Sequence, residues 1–97
     1  MPSRESAKAP VNCSLLPAYP NPFNSVTNIS YNVAEGGRVQ LAIYDLLGRQ
    51  VVTLVDLTHA PGTYSVTWDA GSLSSGIYFC RIAANGFQQV QKLMLLK

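Results

Sequence analysis

Short alternating runs, cut by a turn signal about every ten residues, constrain this chain more than any other feature. Val26 to Val33 places Ile29, Tyr31 and Val33 on one face and Asn28, Ser30 and Asn32 on the other. That period of two is the pattern of a strand buried on one side. Glu35-Gly36-Gly37 breaks the run, and Arg38 to Tyr44 resumes it with Val39, Leu41 and Ile43 facing inward. Asp45 to Arg49 is a tight connection in which Gly48 is expected to supply a positive φ. Gln50 to Val55 is mostly β-branched and reads as a third strand. His59-Ala60-Pro61-Gly62 turns the chain into Thr63 to Trp68, where Tyr64, Val66 and Trp68 share a face. Asp69 to Gly76 is a loop of turn-forming residues. Ile77 to Ala83 and Phe87 to Leu96 are the last two strands, joined at Asn85-Gly86, a strong hairpin signal.

No segment carries a helical period. With a further short strand near Leu15 to Tyr19, about seven strands predict an all-β fold, an antiparallel β-sandwich in which each strand offers one apolar face to a facing sheet. The chain has 97 residues, of which 47% are hydrophobic. That is enough for one domain with its own core. Shared parity predicts Trp68, Tyr64, Tyr31, Val39 and Leu41 inside, with Tyr78 adding volume. Tyr19, Tyr44, Phe23 and Phe87 are left as the aromatics nearest the surface, with no obvious platform among them. Met1 to Ser14, rich in Ser, Pro, Lys and Ala, reads as a linker or tail (1–14), and the folded domain as 15–97.

Several function classes find no support. Seven Lys and Arg face five Asp and Glu, a surplus of two that is too small and too scattered for a nucleic-acid partner. The single histidine, His59, sits in a turn and reads as a solvated residue with no catalytic partners. Glu35, Asp45, Asp56 and Asp69 stand at strand ends, where acids form turns, and no DxDxDG spacing suggests calcium. Cys13 and Cys80 could pair, but fit no metal pattern; the plainer reading makes Cys80 a small apolar side chain. Asn12-Cys13-Ser14 and Asn28-Ile29-Ser30 match a glycosylation sequon too short to weigh. No run approaches the ~18 apolar residues of a membrane helix. Met1 to Ala9 has the charges Arg4, Glu5 and Lys8 and no apolar run behind them, so no signal peptide is read there and the chain is expected to be a fragment lacking its own start. No catalytic, cofactor or metal site is expected.

One segment is more specific. Tyr19-Pro20-Asn21-Pro22-Phe23-Asn24 fixes an extended, turning path with few free backbone donors, and Phe23 is placed to anchor it on the core. It resembles the YPNPFN segment that opens the type A C-terminal sorting domains of the type IX secretion system. Further stretches are similar to that family in the same order. Val39 to Asp45 with Leu47-Gly48-Arg49 resembles its "VYDLLGR" turn. Pro61 to Tyr64 with Val66 to Asp69 resembles "GxYxVxWD", and Leu73 to Phe79 resembles "LxSGxYF". Gln91 to Lys97 resembles the family's terminal strand, including its closing lysine. Cys80 departs from the aromatic or aliphatic residue common in the family. Flagellar hook-capping proteins contain a similar module.

The resemblance implies an immunoglobulin-like sandwich that directs an N-terminal cargo protein, missing from this chain, through the outer-membrane export machinery. It further implies a periplasmic stage, removal of the domain by a sortase-like peptidase, and cargo left on surface lipopolysaccharide or released. Residues expected to carry recognition are Pro20, Asn21, Pro22, Gly48, Gly76, Tyr78, Lys92 and Lys97. The competing reading is a structural or adhesive module, self-assembling or carbohydrate-binding. Lys97 closing the chain favours sorting as an expectation. Gln89 to Lys97 is apolar on both parities, Leu93 and Leu95 on one and Met94 and Leu96 on the other. Something is expected to cover the second face: the domain itself, a second copy or the machinery. A free edge there would invite strand addition or self-association.

Overall fold

The structure, a computed structural model, describes residues 13–97. Seven strands form it: β1 (Ser14–Leu15), β2 (Val26–Val33), β3 (Gly37–Tyr44), β4 (Gln50–His59), β5 (Gly62–Asp69), β6 (Gly76–Ala84) and β7 (Phe87–Leu95). They make two antiparallel sheets, β1-β2-β5 and β4-β3-β6-β7. This is the expected sandwich, with the immunoglobulin-like character of strands shared between two facing sheets. The alternation read from the sequence sets the core. Ile29, Tyr31 and Val33 from one sheet meet Val39, Leu41, Ile43, Cys80, Ile82, Leu93 and Leu95 from the other, and all are essentially inaccessible to water. Burying each large apolar side chain contributes roughly 1.5–3 kcal/mol. Trp68 is 4% exposed and lies between Phe23 and Tyr78, with ring centroids 5.5 and 5.7 Å away.

Three local readings need correction, and one open alternative closes. Tyr64 is half-buried rather than a core residue, because β5 is an edge strand. Its ring stacks on His59 at 3.8 Å and its hydroxyl donates to Ala60 O at 2.6 Å, so it seals the sandwich edge instead of filling its middle. His59 is not a solvated turn residue: it ends β4, and its Nε2 lies 2.8 Å from the Tyr31 hydroxyl. Phe23 is 2% exposed, an anchor and not a surface aromatic. Cys13 and Cys80 are both free and buried. Burial pushes the Cys80 thiol up to about 12, which makes it the inert apolar side chain of the plainer reading.

β4 runs on past Val55 to His59 because Asp56 and Thr58 keep pairing with Gln40 and Arg38 of β3 while pointing to solvent. The expected tail lies, for residues 1–12, outside the described residues. Ser14 pairs with Asn32 and Cys13 is buried, its Sγ accepting from Ala34 N at 3.4 Å. From there the chain follows β2, with Leu16 N donating to Ser30 O and Tyr19 bridging Asn28. It then crosses the open side of the sandwich to the other sheet, where Phe23 bridges Leu95 in parallel.

Candidate recognition surface

The crossing is built from side chains that stand in for strand pairing. Gln89 and Gln91 share the inward parity of Leu93 and Leu95, yet their amides reach the crossing segment. Gln89 Oε1 accepts from Leu15 N at 2.8 Å and Gln91 Oε1 from Ala18 N at 2.6 Å, while Gln91 Nε2 donates to Leu16 O at 2.7 Å. Farther along, Asn21 Nδ2 donates to Lys92 O at 3.0 Å and Asn21 Oδ1 accepts from Met94 N at 3.0 Å. Phe23 then takes over with its backbone, donating to Met94 O at 2.9 Å and accepting from Leu96 N at 2.8 Å. Pro20 O accepts from the hydroxyl of Thr27, a fully buried polar residue in an otherwise apolar row. The edge of β7 from Lys92 to Leu96 is thereby occupied, so that stretch is not open for strand addition.

The residues expected to carry recognition divide into three sets. Pro20, Asn21 and Pro22 are exposed and lie along the end of β7, beside exposed Lys92. Lys97 folds back on the β5–β6 loop, its N–H donating to Ser75 Oγ at 2.9 Å and its Nζ to Gly71 O. Pro20, Asn21 and Pro22 thus adjoin Lys92 along β7, and Lys97 lies just past the end of that strand. Tyr78 and Gly76 support it from beneath by pairing with Leu93 and Leu95. Tyr78 is buried, its hydroxyl donating to Ser74 O at 2.7 Å, so it holds the loop under Lys97 rather than meeting a partner.

Gly48 belongs to the β3–β4 turn at the same end. Its φ is +86°, as its place in the turn requires. The Asp45 carboxylate accepts from Leu47 N and Arg49 N, both at 2.9 Å, and from Arg49 Nε at 3.0 Å. Those bonds, the Arg49 N–H foremost, hold the Asp45 carboxyl below its usual range. The rigid turn presents Leu46 and Leu47, 66% and 77% exposed, beside a groove shared with Ser75 to Tyr78.

A family model described as the secretion system C-terminal sorting domain matches residues 17–96. The chain belongs to that family. The sorting domain therefore spans nearly all of the described residues, and its first and last stretches are the two partners of the crossing. No curated protein and no solved structure matches it. Among the described residues no three His, Cys, Asp or Glu side chains gather to hold a metal. Sequence reasoning found the two ends of the sorting domain but not their contact, which links residues 71 to 75 positions apart. The glutamines at inward positions of a terminal strand were the available signal.

Proposed function

We propose that the export machinery reads the surface at the end of β7 as one composite epitope: Pro20, Asn21 and Pro22 with Lys92 and Lys97, presented over Gly76 and Tyr78 and flanked by the Gly48 turn. As a member of its family the domain is a C-terminal sorting signal for type IX secretion, destined for the cell surface or the medium. Domains of this family are non-catalytic, and whatever activity the exported protein has belongs to its cargo part. The observation supporting the composite reading is the Asn21 amide, which bonds both Lys92 O and Met94 N and so makes opening motif and terminal strand one rigid body. In this reading cargo crosses the periplasm with the domain folded. A sortase-like peptidase then cuts ahead of Leu15.

The test fuses a fluorescent reporter ahead of Met1, behind a periplasmic signal, in a host with a type IX system. Lys92→Ala combined with Lys97→Ala is expected to retain the reporter in the periplasm while circular dichroism and melting temperature stay close to those of the parent. Undiminished export would remove the lysines from the epitope. Mass spectrometry of the exported reporter is expected to find a new C-terminus before Leu15, and a full-length product would remove the peptidase step.

A further inference from the structure

The outer face of the four-stranded sheet carries a groove of about 260 Å³ away from the β7 crossing. Its floor is Ala42 on β3 and Ala83 on β6, and its walls are Gln40, Tyr44, Gln50, Thr53, Asp56 and Arg81. Alanine is a poor strand residue, and two of them on a face where Val or Thr would be usual leave a depression. The β3–β4 ladder slips on both sides of this point, at Leu41/Ala42 and at Ile43/Tyr44. Such bulges re-aim side chains and recur beside binding sites.

The polar groups around the depression are only partly used. Arg38 and Gln40 all donate to one oxygen of Asp56, Oδ1, at 2.8 Å from Arg38 Nε and 3.4 Å from Gln40 Nε2. Oδ2 receives no donor among the described residues. Arg81 makes no hydrogen bond or ion pair among the described residues, although it is half-buried. Gln50 donates to Thr53 Oγ1 at 2.8 Å and accepts from the Tyr44 hydroxyl at 3.4 Å, which fixes that wall. Tyr44, half-buried, lines one end of the groove and is the register partner of Phe79 on β6.

These features select among occupants. Beneath the groove β3 and β6 are interior strands whose backbone groups are already paired, so a ligand must be held by side chains alone. A peptide strand gains nothing there. Asp56 is already paired with Arg38, which leaves Arg81 as a single positive charge, too little for a polyanion. The volume lies just under the ~300 Å³ of small-molecule sites, enough for one ring. A carboxylate oxygen, a guanidinium fork, an amide and an aromatic face around one ring-sized space are the complement of a sugar, whose neighbouring hydroxyls both donate and accept and whose C–H face rests on a ring. The geometry points to a binding site for a single pyranose ring of a glycan between Arg81, Asp56, Gln40 and Tyr44.

The test titrates the ¹⁵N-labelled chain with methyl α-mannoside, methyl β-N-acetylglucosaminide and methyl β-glucuronide, followed by amide shifts. At least one is expected to cause saturable shifts confined to Gln40–Tyr44, Thr53–Asp56 and Arg81–Ala83, with a Kd on the order of 1–10 mM. Ala83→Leu, which fills the floor, should weaken that binding by more than about tenfold, and Arg81→Gln by about fivefold or more. Response to the glucuronide alone, lost in Arg81→Gln, would place the carboxylate on Arg81; response to the neutral sugars would place hydroxyls there. Should Ala83→Leu fail to fold, Arg81→Gln decides. Absence of groove shifts with all three sugars at ~50 mM, or binding indifferent to both substitutions, would overturn the site.

Discussion

Asn21 does with one side chain what a strand does with its backbone, accepting from Met94 N and donating to Lys92 O. Asn21→Ala should therefore cost about 1–3 kcal/mol in urea unfolding, since two backbone groups lose their partners. Asn21→Asp keeps the acceptor and loses the donor, and should fall between. Equal stability of all three would show that the crossing contributes nothing. Tyr31 gives a pH dependence. Burial first, and Tyr64 second, raise its pKa above 10.0. The unfolded chain ionises this phenol near pH 10 while the folded one holds its proton, so stability is intact below about pH 10 and falls as pH rises beyond it. Tyr31→Phe should flatten that decline, and an unchanged alkaline limb would assign it elsewhere. A thiol reagent at pH 8 should likewise leave Cys80 untouched until the domain is unfolded. Single residues were legible where parity decides, as at Ile29, Tyr31 and Trp68. Tyr64 was misread because parity fixes the face a residue points to and not whether its strand is central. Thr27 and His59 were missed because their places depend on partners distant in sequence, Pro20 O and the Tyr31 hydroxyl.

At the scale of elements, β7 shows how a strand apolar on both parities resolves. Leu93 and Leu95 are fully buried, whereas Met94 is half-covered and Leu96 is 51% exposed. Leu93→Ala should cost about 2–5 kcal/mol and Met94→Ala less than about 1.5 kcal/mol. Similar losses at both would mean that the outer face is covered as well. Gln91→Ala should cost more than Val90→Ala although Val90 is the apolar neighbour, because it strips partners from Ala18 N and Leu16 O while Val90 is 55% exposed. The sequence carried the existence and order of β2 to β7, since alternation and turn chemistry are local. It did not carry the edges. Which strand ends a sheet is fixed by pairing between distant segments, and β4 outran its expected end because polar outward positions pair as well as apolar ones.

For the whole molecule, the crossing fastens the opening motif to the last strand, so the domain's two ends stand or fall together. Family membership was legible because its motifs are short and local, but the composite surface exists only once the chain closes. This decides how the sorting signal can be dissected. Deleting Leu93 to Lys97 removes two fully buried leucines and strips partners from Asn21, Phe23, Gly76, Ile77 and Tyr78. That truncation should abolish cooperative unfolding, and its failure to be exported would report a lost fold as readily as a lost epitope. Lys92→Ala with Lys97→Ala leaves the core and every Asn21 contact in place, because Asn21 bonds the backbone of Lys92 and not its side chain. An exposed pair of this kind is worth at most ~0.5 kcal/mol, a shift of a few degrees in Tm. The expected result is a truncated form with no transition and a double variant that melts close to the parent yet stays in the periplasm. A double variant melting as badly as the truncation would make the lysines structural, through the Lys97 ammonium on Gly71 O, and the composite epitope would lose its cationic part.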